Sequence, residues 1–368
     1  MMQNGTTFPL TRLLVQIEER LVSTGIRGHV ARVDMTRKGA VHLELALAER
    51  RCWYRWENHE LTELEAANDS KIPLAARLKD PSFAARTTLL SYRPGRRLTL
   101  VDHSGQKPSV LKGFRRGYID RMARKYEVAY AAFSGCGVHA PEVIEHDSAD
   151  ETLAIVFKAG ERLRLSADNT DLFHLVGEGL RDFQTYDALA DESVFESKDE
   201  LQVIDRHATR LEQVGGELPA QWQALRERLI DAWVKLPPAV IGLTHRDLHD
   251  KQFVQQTDHL TLLDFDLMTR ADVALDPANF LVHLALRDLQ DLPGASQRSI
   301  DICGKKFLQG LARNEEPGFW ERLRFYQAST FCRLALIYAL RPRWAGLMPN
   351  LTAMGNRCLD DMNRIKET

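Results

Sequence analysis

The pattern of apolar positions divides the chain into a strand-rich N-terminal part and a helical C-terminal part. Residues 10–23 place leucine and isoleucine on one helical face and precede Gly25, which predicts an amphipathic helix with a glycine C-cap. Apolar residues alternate with polar ones over 30–33 and again over 41–47, and the turn-like residues 36–39 lie between them. This pattern predicts a hairpin, and the aromatic residues 52–56 are expected to extend it as a further strand.

Three more strands are predicted between residues 89 and 114. The segments 89–92, 97–101 and 109–114 are separated by the turn formers Pro94-Gly95 and Ser104-Gly105. A helix is expected from about Ile119 to Ser134, and a strand from Leu153 to Lys158. This order of strands, one helix and a further strand predicts a small β-rich lobe.

Beyond Gly160 the periodicity is mainly helical, which predicts a helical body. The predicted helices lie near 168–182, 200–214, 219–235, 279–288, 297–314, 317–340 and 350–366.

Composition narrows the class of protein. The 368 residues include 49 basic and 51 acidic side chains, which is typical of a soluble globular protein of two or three domains. The near-neutral net charge argues against nucleic-acid binding through a basic face, and the basic run at 121–125 is interpreted as a solvated helix face. No apolar run approaches the length of a membrane span, so no membrane association is expected.

The cysteines indicate a reducing compartment. None forms a C-x-x-C pair, which argues against a zinc site or a disulfide framework and favours the cytoplasm. The five are Cys52, Cys136, Cys303, Cys332 and Cys358.

Two acidic clusters carry the strongest chemical signal. His-Arg-Asp-Leu-His-Asp-Lys-Gln at 245–252 follows one apolar segment, and Asp-Phe-Asp at 264–266 ends another, with Asp247 and Asp264 seventeen residues apart. Each carboxylate is therefore expected at a strand or loop edge facing a cleft. Phosphoryl transfer uses such a pair, since one acid orients the attacking hydroxyl and the other holds Mg²⁺ against the phosphates.

The small lobe supplies candidates for binding the phosphates. Lys112 alternates with apolar neighbours on a predicted strand, and a lysine held in place usually has a carboxylate partner on a neighbouring helix. Glu127 is the expected partner, with Glu142 as its rival and a solvated surface carboxylate as the alternative. At residues 92–97, Gly95 is expected to permit a turn and Arg96 or Arg97 to contact the nucleotide; a surface turn without a ligand is the other interpretation.

As a set, these motifs resemble the aminoglycoside phosphotransferase and choline kinase-like family of small-molecule kinases. The resemblance rests on Lys112, Glu127, the H-R-D-L-x-x-x-Q loop, D-F-D and D-P-A-N at 276–279, and it covers about residues 87–290. Only eleven residues separate Asp264 from Asp276. That interval leaves no room for an activation segment of the protein-kinase type and favours a small-molecule acceptor.

The resemblance implies a role for each motif residue. Asp247 is the implied catalytic acid, and Asp264 the principal Mg²⁺ ligand with Asp266 available beside it. Gln252 stands where the family has an asparagine metal ligand, and its amide oxygen offers the same chemistry one methylene further out. Maltokinases and bacterial glucosamine kinases also resemble the chain in carrying glutamine there, which favours a sugar acceptor.

Further implied roles are structural. His245 is expected to support the catalytic loop, and Asp276 to accept hydrogen bonds from the backbone of that loop or to cap a helix. The implied cofactors are ATP and Mg²⁺, with GTP left open as an alternative nucleotide. The oligomeric state is left open as well.

The expected fold is α+β and protein-kinase-like, with two lobes and an N-terminal extension. Residues 1–86 are assigned to the extension, which would pack on the N-lobe, 87–158 to the nucleotide-binding N-lobe, and 159–368 to the helical C-lobe. The predicted activity is ATP-dependent phosphorylation of a hydroxyl group on a small molecule, a sugar or an amino-containing metabolite.

Two alternatives stay open. The first is an aminoglycoside-inactivating kinase, for which acidic residues of the helical lobe would bind the polycation: Asp168, Asp171, Asp182, Asp187, Asp191 and Glu192. The second is a pseudokinase that binds nucleotide without transfer, for which Gln252 is the main argument.

Overall fold

The computed structural model describes residues 10–36, 39–48, 50–133, 137–166, 169–256 and 259–367. Cys136, Asp168 and two residues of the predicted hairpin turn, Arg37 and Lys38, lie outside the described residues.

Helices of the described residues occupy both halves of the chain. They are α1 (Thr11–Ser23), α2 (Pro81–Arg86), α3 (Ile119–Ala132), α4 (Thr170–Thr185), α5 (Ser197–Gln213), α6 (Ala220–Trp233), α7 (Leu275–Leu289), α8 (Gln297–Leu311), α9 (Phe319–Ala339) and α10 (Met348–Glu367). Short 3₁₀ helices occur at Ala66–Asn68, Pro73–Lys79, Asp250–Gln252, Phe265–Leu267 and Pro342–Leu347.

The longer strands lie in the first 156 residues. The strands are β1 (Gly28–Met35), β2 (Val41–Leu47), β3 (Arg51–Glu57), β4 (Glu60–Glu63), β5 (Thr87–Arg93), β6 (Arg97–Asp102), β7 (Ser109–Gly113), β8 (Val138–His139), β9 (Val143–Asp147), β10 (Thr152–Val156), β11 (Glu161–Arg162), β12 (Ile241–Thr244), β13 (Phe253–Gln255), β14 (Leu260–Leu262) and β15 (Thr269–Asp272).

Two compact units share the chain. The first takes Met1–Glu65, Glu196–Pro237 and Trp320–Thr368, and the second takes Ala66–Phe195 and Pro238–Phe319. The boundaries of these units differ from the predicted domain boundaries at residues 86 and 158. The predicted division into domains stays a prediction. Every residue assigned a role in phosphoryl transfer belongs to the second unit.

The first unit combines an antiparallel meander, β1-β2-β3-β4, with α1, α5, α6, α9 and α10. Buried polar contacts join its separate chain segments. The indole N–H of Trp222 donates to the carbonyl of Cys332 at 3.0 Å, and Arg333 lies 3.0 Å from the buried carboxylate of Glu200. Segments distant in sequence therefore share one core.

In the second unit, the sheet β5-β6-β7-β10-β9 has two chemically different faces. Because side chains alternate along a strand, Leu98, Leu100 and Leu111 lie on one face, and they pack on Leu74 and Phe83 of the segment 66–86. The approach is close, since a Cβ on Gly113 would lie 2.8 Å from the Leu74 side chain. The opposite face of the same strands carries polar side chains, described below.

An aromatic core lies beneath the catalytic segments of this unit. Phe133 of the α3 C-cap stacks on Phe183 of α4 with ring centroids 4.9 Å apart, and Phe265 contacts both rings. Phe265 is fully buried although it stands between Asp264 and Asp266. The apolar residue of the D-F-D motif therefore anchors the two carboxylates.

None of the described helices has the length and apolar character needed to cross a membrane.

Candidate active site

Two antiparallel pairings bring the acidic clusters together. Strand β12 precedes the loop 245–252 and pairs with β15, which follows Asp-Phe-Asp; strand β13 follows the loop and pairs with β14, which precedes Asp264. The Leu263 N–H donates to the Gln252 carbonyl at 2.9 Å, directly before Asp264. The pairing of the flanking strands therefore sets the loop beside Asp264.

Lys112 forms the electrostatic centre of the site. It is buried on β7, opposite Thr99 of β6, on the face of the sheet opposite to that of Leu98 and Leu100. Its ammonium group donates to Asp264 Oδ1 at 2.7 Å and to the Tyr126 hydroxyl at 2.5 Å, and it also contacts Asp266 Oδ1. Three acceptors match the three N–H bonds of a lysine.

Arg97 provides a second cation at the same two carboxylates. From the first position of β6, its guanidinium donates to both oxygens of Asp264, at 3.0 and 3.3 Å, and contacts Asp266. Burial acts to raise the pKa of Asp264, but the positive charges of Lys112 and Arg97 outweigh it and hold that pKa well below its ordinary value. The acid therefore stays ionised at neutral pH.

The expected pairing of Lys112 with Glu127 is not what the structure shows. Glu127 is exposed on α3, whereas Tyr126 is fully buried and reaches both Lys112 and Asp266. Successive residues of a helix point about 100° apart, so only one of the two can face the sheet. The Tyr126 ring packs edge-on to Phe265 at 5.7 Å, which fixes the rotation of the helix. Glu142, the rival candidate, is exposed as well.

The turn between β5 and β6 is held from outside the sheet. Gly95 has φ +63°, a conformation that favours glycine, and its N–H donates to Asp69 Oδ2 at 2.5 Å. The Tyr92 hydroxyl donates to the same oxygen at 3.0 Å. Asp69 therefore fixes the turn that precedes Arg97. No sequence motif marks this residue, because the contact spans more than twenty positions and joins two irregular segments.

Asp247 lies in the loop with its side chain accessible. The Asp247 side chain is 40% exposed. Gln252 Nε2 lies 3.4 Å from Asp247 Oδ2, and His249 Nε2 lies 3.9 Å from the same oxygen. Two residues of the site have a positive φ: Arg246, directly before Asp247, at +67°, and Asp264 at +68°. Non-glycine residues in this region cost free energy and persist only where the surroundings fix them, which is common at functional sites.

His245 ties the loop to the second acidic cluster. Its Nε2 lies 2.8 Å from the Leu263 carbonyl, and its Nδ1 lies 3.3 Å from the Asp247 N–H. A carbonyl only accepts and a backbone N–H only donates, so the ring carries its proton on Nε2. The buried imidazole therefore links the backbone on both sides of the site and is not placed to carry a proton to substrate.

Four residues on one face of α7 contact the loop, and the first two are Asp276 and Asn279. Asp276 accepts the N–H groups of His245 and Arg246, at 2.6 and 2.7 Å, while Asn279 donates to the Leu248 carbonyl at 2.9 Å. Burial raises the pKa of Asp276 against the opposing effect of these donors. The backbone is thus fixed on both sides of Asp247.

The next two turns of α7 continue the same face. The rings of His283 and His249 lie 4.8 Å apart, and Arg287 forms a buried two-pronged ion pair with Asp250 at 2.5 to 3.0 Å. Positions 276, 279, 283 and 287 follow the helical repeat of three to four residues. Burial lowers the pKa of His249 from its ordinary value. Arg287 is engaged with the loop through this ion pair.

The donor set fits Mg²⁺ held jointly by protein, water and phosphate. Asp264 and Asp266 offer carboxylate oxygens, and Gln252 directs its amide nitrogen toward Asp247, which leaves the amide oxygen available. Mg²⁺ in phosphotransferases takes one or two carboxylates and keeps several waters. The described residues include no group of three or more His, Cys, Asp or Glu side chains that could hold a metal ion.

Comparison with known proteins decides the family. The sequence model of the phosphotransferase enzyme family matches residues 95–300, more than half of the chain. The chain belongs to this family. The predicted membership and the predicted small-molecule phosphotransferase are thereby confirmed. The match begins at Gly95 and contains both acidic clusters.

Solved structures of several kinases and phosphotransferases share the fold of this chain. Choline kinase LicA from Streptococcus pneumoniae is 12% identical, with 77% of this chain and 98% of that chain covered and a TM-score of 0.54. Amicoumacin kinase hAmiN, in complex with AMP-PNP, Ca²⁺ and Ami, is 14% identical, with 79% and 95% covered and a TM-score of 0.55. A thermostable mutant of aminoglycoside phosphotransferase APH(4)-Ia is 12% identical, with 75% and 94% covered and a TM-score of 0.52. These likenesses confirm the predicted α+β, kinase-like fold. No curated protein matches the sequence at a significant level.

Proposed function

We propose that this phosphotransferase moves the γ-phosphoryl group of ATP to a hydroxyl group of a small molecule, a sugar or an amino-containing metabolite. The observation that carries the proposal is Asp247, an accessible carboxylate on a backbone fixed from both sides by Asp276 and Asn279.

Asp247 would accept a hydrogen bond from the acceptor hydroxyl and later take its proton. The transition state of phosphoryl transfer is loose, so the position of this carboxylate matters more than its basicity. The rigid attachment of the loop to α7 supports this role. Gln252, 3.4 Å from Asp247, would help to hold the carboxylate in place.

The phosphates would be bound by Lys112 and Arg97. In this structure both cations bind Asp264 and Asp266. Lys112 lies 2.7 Å from Asp264 and Arg97 lies 3.0 Å from it. Mg²⁺ bound by these carboxylates and by Gln252 would neutralise phosphate charge. With the carboxylates so occupied, the two cations would be free to donate to phosphate oxygens, and Arg97 offers the planar fork suited to them.

Three of the six acidic residues considered for an aminoglycoside pocket form ion pairs with arginines. Arg124 binds Asp191 through two hydrogen bonds of 2.6 and 2.7 Å, Arg121 binds Glu192 at 2.9 Å, and Arg181 binds Asp182 at 3.2 Å. A polycation would have to displace these arginines. This favours a neutral or weakly charged acceptor over an aminoglycoside.

The geometry around Asp247 disfavours the second alternative, a pseudokinase that binds nucleotide without transfer. A protein that only holds nucleotide has no need for an accessible acid fixed at the acceptor side, and Asp247 is both accessible and fixed. The substitution at Gln252 keeps an amide beside that acid. Retention of the whole constellation supports catalysis.

The acceptor is expected to be free in the cytoplasm. We propose a cytoplasmic location because the four described cysteines are buried and carry free thiols, as is usual in reducing compartments. No role for nucleic acid or membrane is proposed. ATP is the proposed nucleotide, with GTP as the alternative to compare.

The deciding experiment is a coupled assay for nucleoside diphosphate release. It would present ATP or GTP with Mg²⁺ and a panel of sugars, amino sugars, aminoglycosides, choline and nucleosides. We expect turnover with at least one sugar or amino metabolite, abolished by Asp247→Ala while nucleotide affinity is retained. Transfer to aminoglycosides alone would establish the first alternative. Nucleotide binding without transfer to any compound, with Mg²⁺ or Mn²⁺, would establish the second.

A further inference from the structure

Lys112 has a phenol as its partner on α3. The Tyr126 hydroxyl lies 2.5 Å from Lys112 Nζ and 3.0 Å from Asp266 Oδ1. The ammonium group can only donate and the carboxylate can only accept. The hydroxyl therefore accepts from Lys112 and donates its own proton to Asp266, so one oxygen atom connects the cation to the acid.

The Tyr126 side chain carries a neutral hydroxyl, which can accept one hydrogen bond and donate another. Its ring is fixed by the contact with Phe265 and has no exposed surface.

We propose that Tyr126 is a positioning residue of the phosphotransfer site, which orients Lys112 and Asp266 together through its hydroxyl. This inference deepens the proposed function and rests on it. The role is the one that the sequence assigned to Glu127, which is exposed and one residue further along the helix.

A phenol changes the charge balance of the site. A carboxylate partner would offset the charge of Lys112, whereas a neutral hydroxyl orients the ammonium group and leaves its charge undiminished. In this structure that charge is balanced by Asp264 and Asp266. If those acids held a metal ion, the full charge of Lys112 would be available to the phosphates. Tyr126 would thus tie the position of the lysine to that of a metal-binding acid.

The test uses substitutions that change one hydroxyl at a time. Tyr126→Phe removes the hydroxyl and keeps the ring in its aromatic contacts. Tyr130→Phe makes the same change one turn later, where the side chain is exposed. Glu127→Gln tests the rival assignment. Thermal unfolding of each variant checks that the fold is retained.

Affinity for ADP with Mg²⁺, measured by titration of a fluorescent analogue, is the main readout. We expect about a tenfold loss in Tyr126→Phe, equivalent to about 1.4 kcal/mol, because the substitution removes a hydrogen bond to a charged group. Tyr130→Phe and Glu127→Gln should stay within about twofold of the unsubstituted protein. An equal loss in Glu127→Gln, or no loss in Tyr126→Phe, would overturn the proposal.

A double-mutant cycle separates positioning from general packing. If Tyr126 acts through Lys112, then Tyr126→Phe should cost less than about twofold in a Lys112→Met background. The same tenfold loss in both backgrounds would mean that the hydroxyl acts independently of the lysine, and the proposal would fail. Because this readout is nucleotide affinity, it holds whether or not an acceptor is phosphorylated. Turnover that depends on Asp247, with no effect of Tyr126, would leave the proposed function standing and remove this inference alone.

Discussion

The carboxylate of Asp276 accepts the backbone N–H of His245 at 2.6 Å, from the first turn of α7 to the start of the catalytic loop. Both residues are fully buried. The loop therefore takes its position from a helix, and the backbone beside Asp247 is held by a side chain that is itself fully buried.

Asp276→Ala should destabilise the protein and lower its turnover together. The substitution leaves the N–H groups of His245 and Arg246 without their acceptor, and each unsatisfied buried group costs about 1–3 kcal/mol. Chemical unfolding and kcat are the measurements. Asp288→Ala, an exposed position on the same helix, is the control and should change neither. Wild-type stability in Asp276→Ala would contradict the assigned role.

Arg97→Ala should weaken nucleotide binding by about tenfold or more, because it removes charge-assisted hydrogen bonds to phosphate of about 1.5–3 kcal/mol. Arg96→Ala, at the adjacent turn, distinguishes the two arginines that the sequence left open. Calorimetry with ADP and Mg²⁺ is the measurement. If Arg96→Ala lost affinity and Arg97→Ala did not, the contact would belong to the turn, and the link from Arg97 to Asp264 would be a feature of the nucleotide-free protein only.

Gln252→Asn and Gln252→Ala test whether the amide oxygen serves the metal ion. Removal of the amide should raise the Mg²⁺ concentration needed for half-maximal rate, whereas asparagine should largely preserve it, since the chemical group is retained. The measurement is a Mg²⁺ titration of initial rates. An unchanged Mg²⁺ requirement in Gln252→Ala would remove Gln252 from the ligand set. Activity gained only in Gln252→Asn would instead identify the natural protein as a silent binder.

His207 makes stability depend on pH in the first unit. Burial, followed by the charge of Arg333, lowers the pKa of this imidazole from 6.5 to about 3. The other charged groups that act on it are Arg210, Asp34 and Arg32. Because the folded-state pKa is depressed, the native state favours the neutral ring. The resulting stability is present above pH 6.5 and is lost as pH falls toward 3.

The free energy of unfolding, measured between pH 7 and pH 5, checks this expectation. The unsubstituted protein should lose about 1–2 kcal/mol more over this range than His207→Gln, given about 1.4 kcal/mol per unit of pKa shift. His146→Gln, an exposed substitution on β9, is the control. Parallel pH profiles for the unsubstituted protein and His207→Gln would contradict the assignment.

Much of the fold follows from periodicity. The helix predicted at 317–340 is Phe319–Ala339 in the structure, and the strands predicted between 89 and 114 are β5, β6 and β7. These elements show a pattern of apolar positions that is recognisable along the chain. The segment 66–86 does not: its short 3₁₀ turns gain their order from packing Leu74 and Phe83 on the sheet, a contact that no local pattern reveals.

The site also contains residues that the sequence predicted and one that it did not. Asp247, Asp264 and Asp276 carry a recognisable motif, so sequence alone brought them into one hypothesis. Tyr126 and Glu127 are adjacent, and the rotation of α3 determines which of them faces Lys112. That rotation depends on the contact with Phe265, distant in sequence, whereas chemical expectation favoured the carboxylate. A motif therefore cannot decide which of two adjacent helical residues faces the site.

The alternation of the two units along the chain has a consequence for synthesis. The polypeptide passes from one unit to the other at residues 65, 195, 237 and 319. As the chain leaves the ribosome, the unit that carries Asp247 and Lys112 has all of its residues once Phe319 has emerged. The helices α9 and α10 of the first unit emerge only afterwards, although the strands β1 to β4 of the same unit emerge much earlier. The core of the first unit can therefore be completed only after all residues of the second unit have been made.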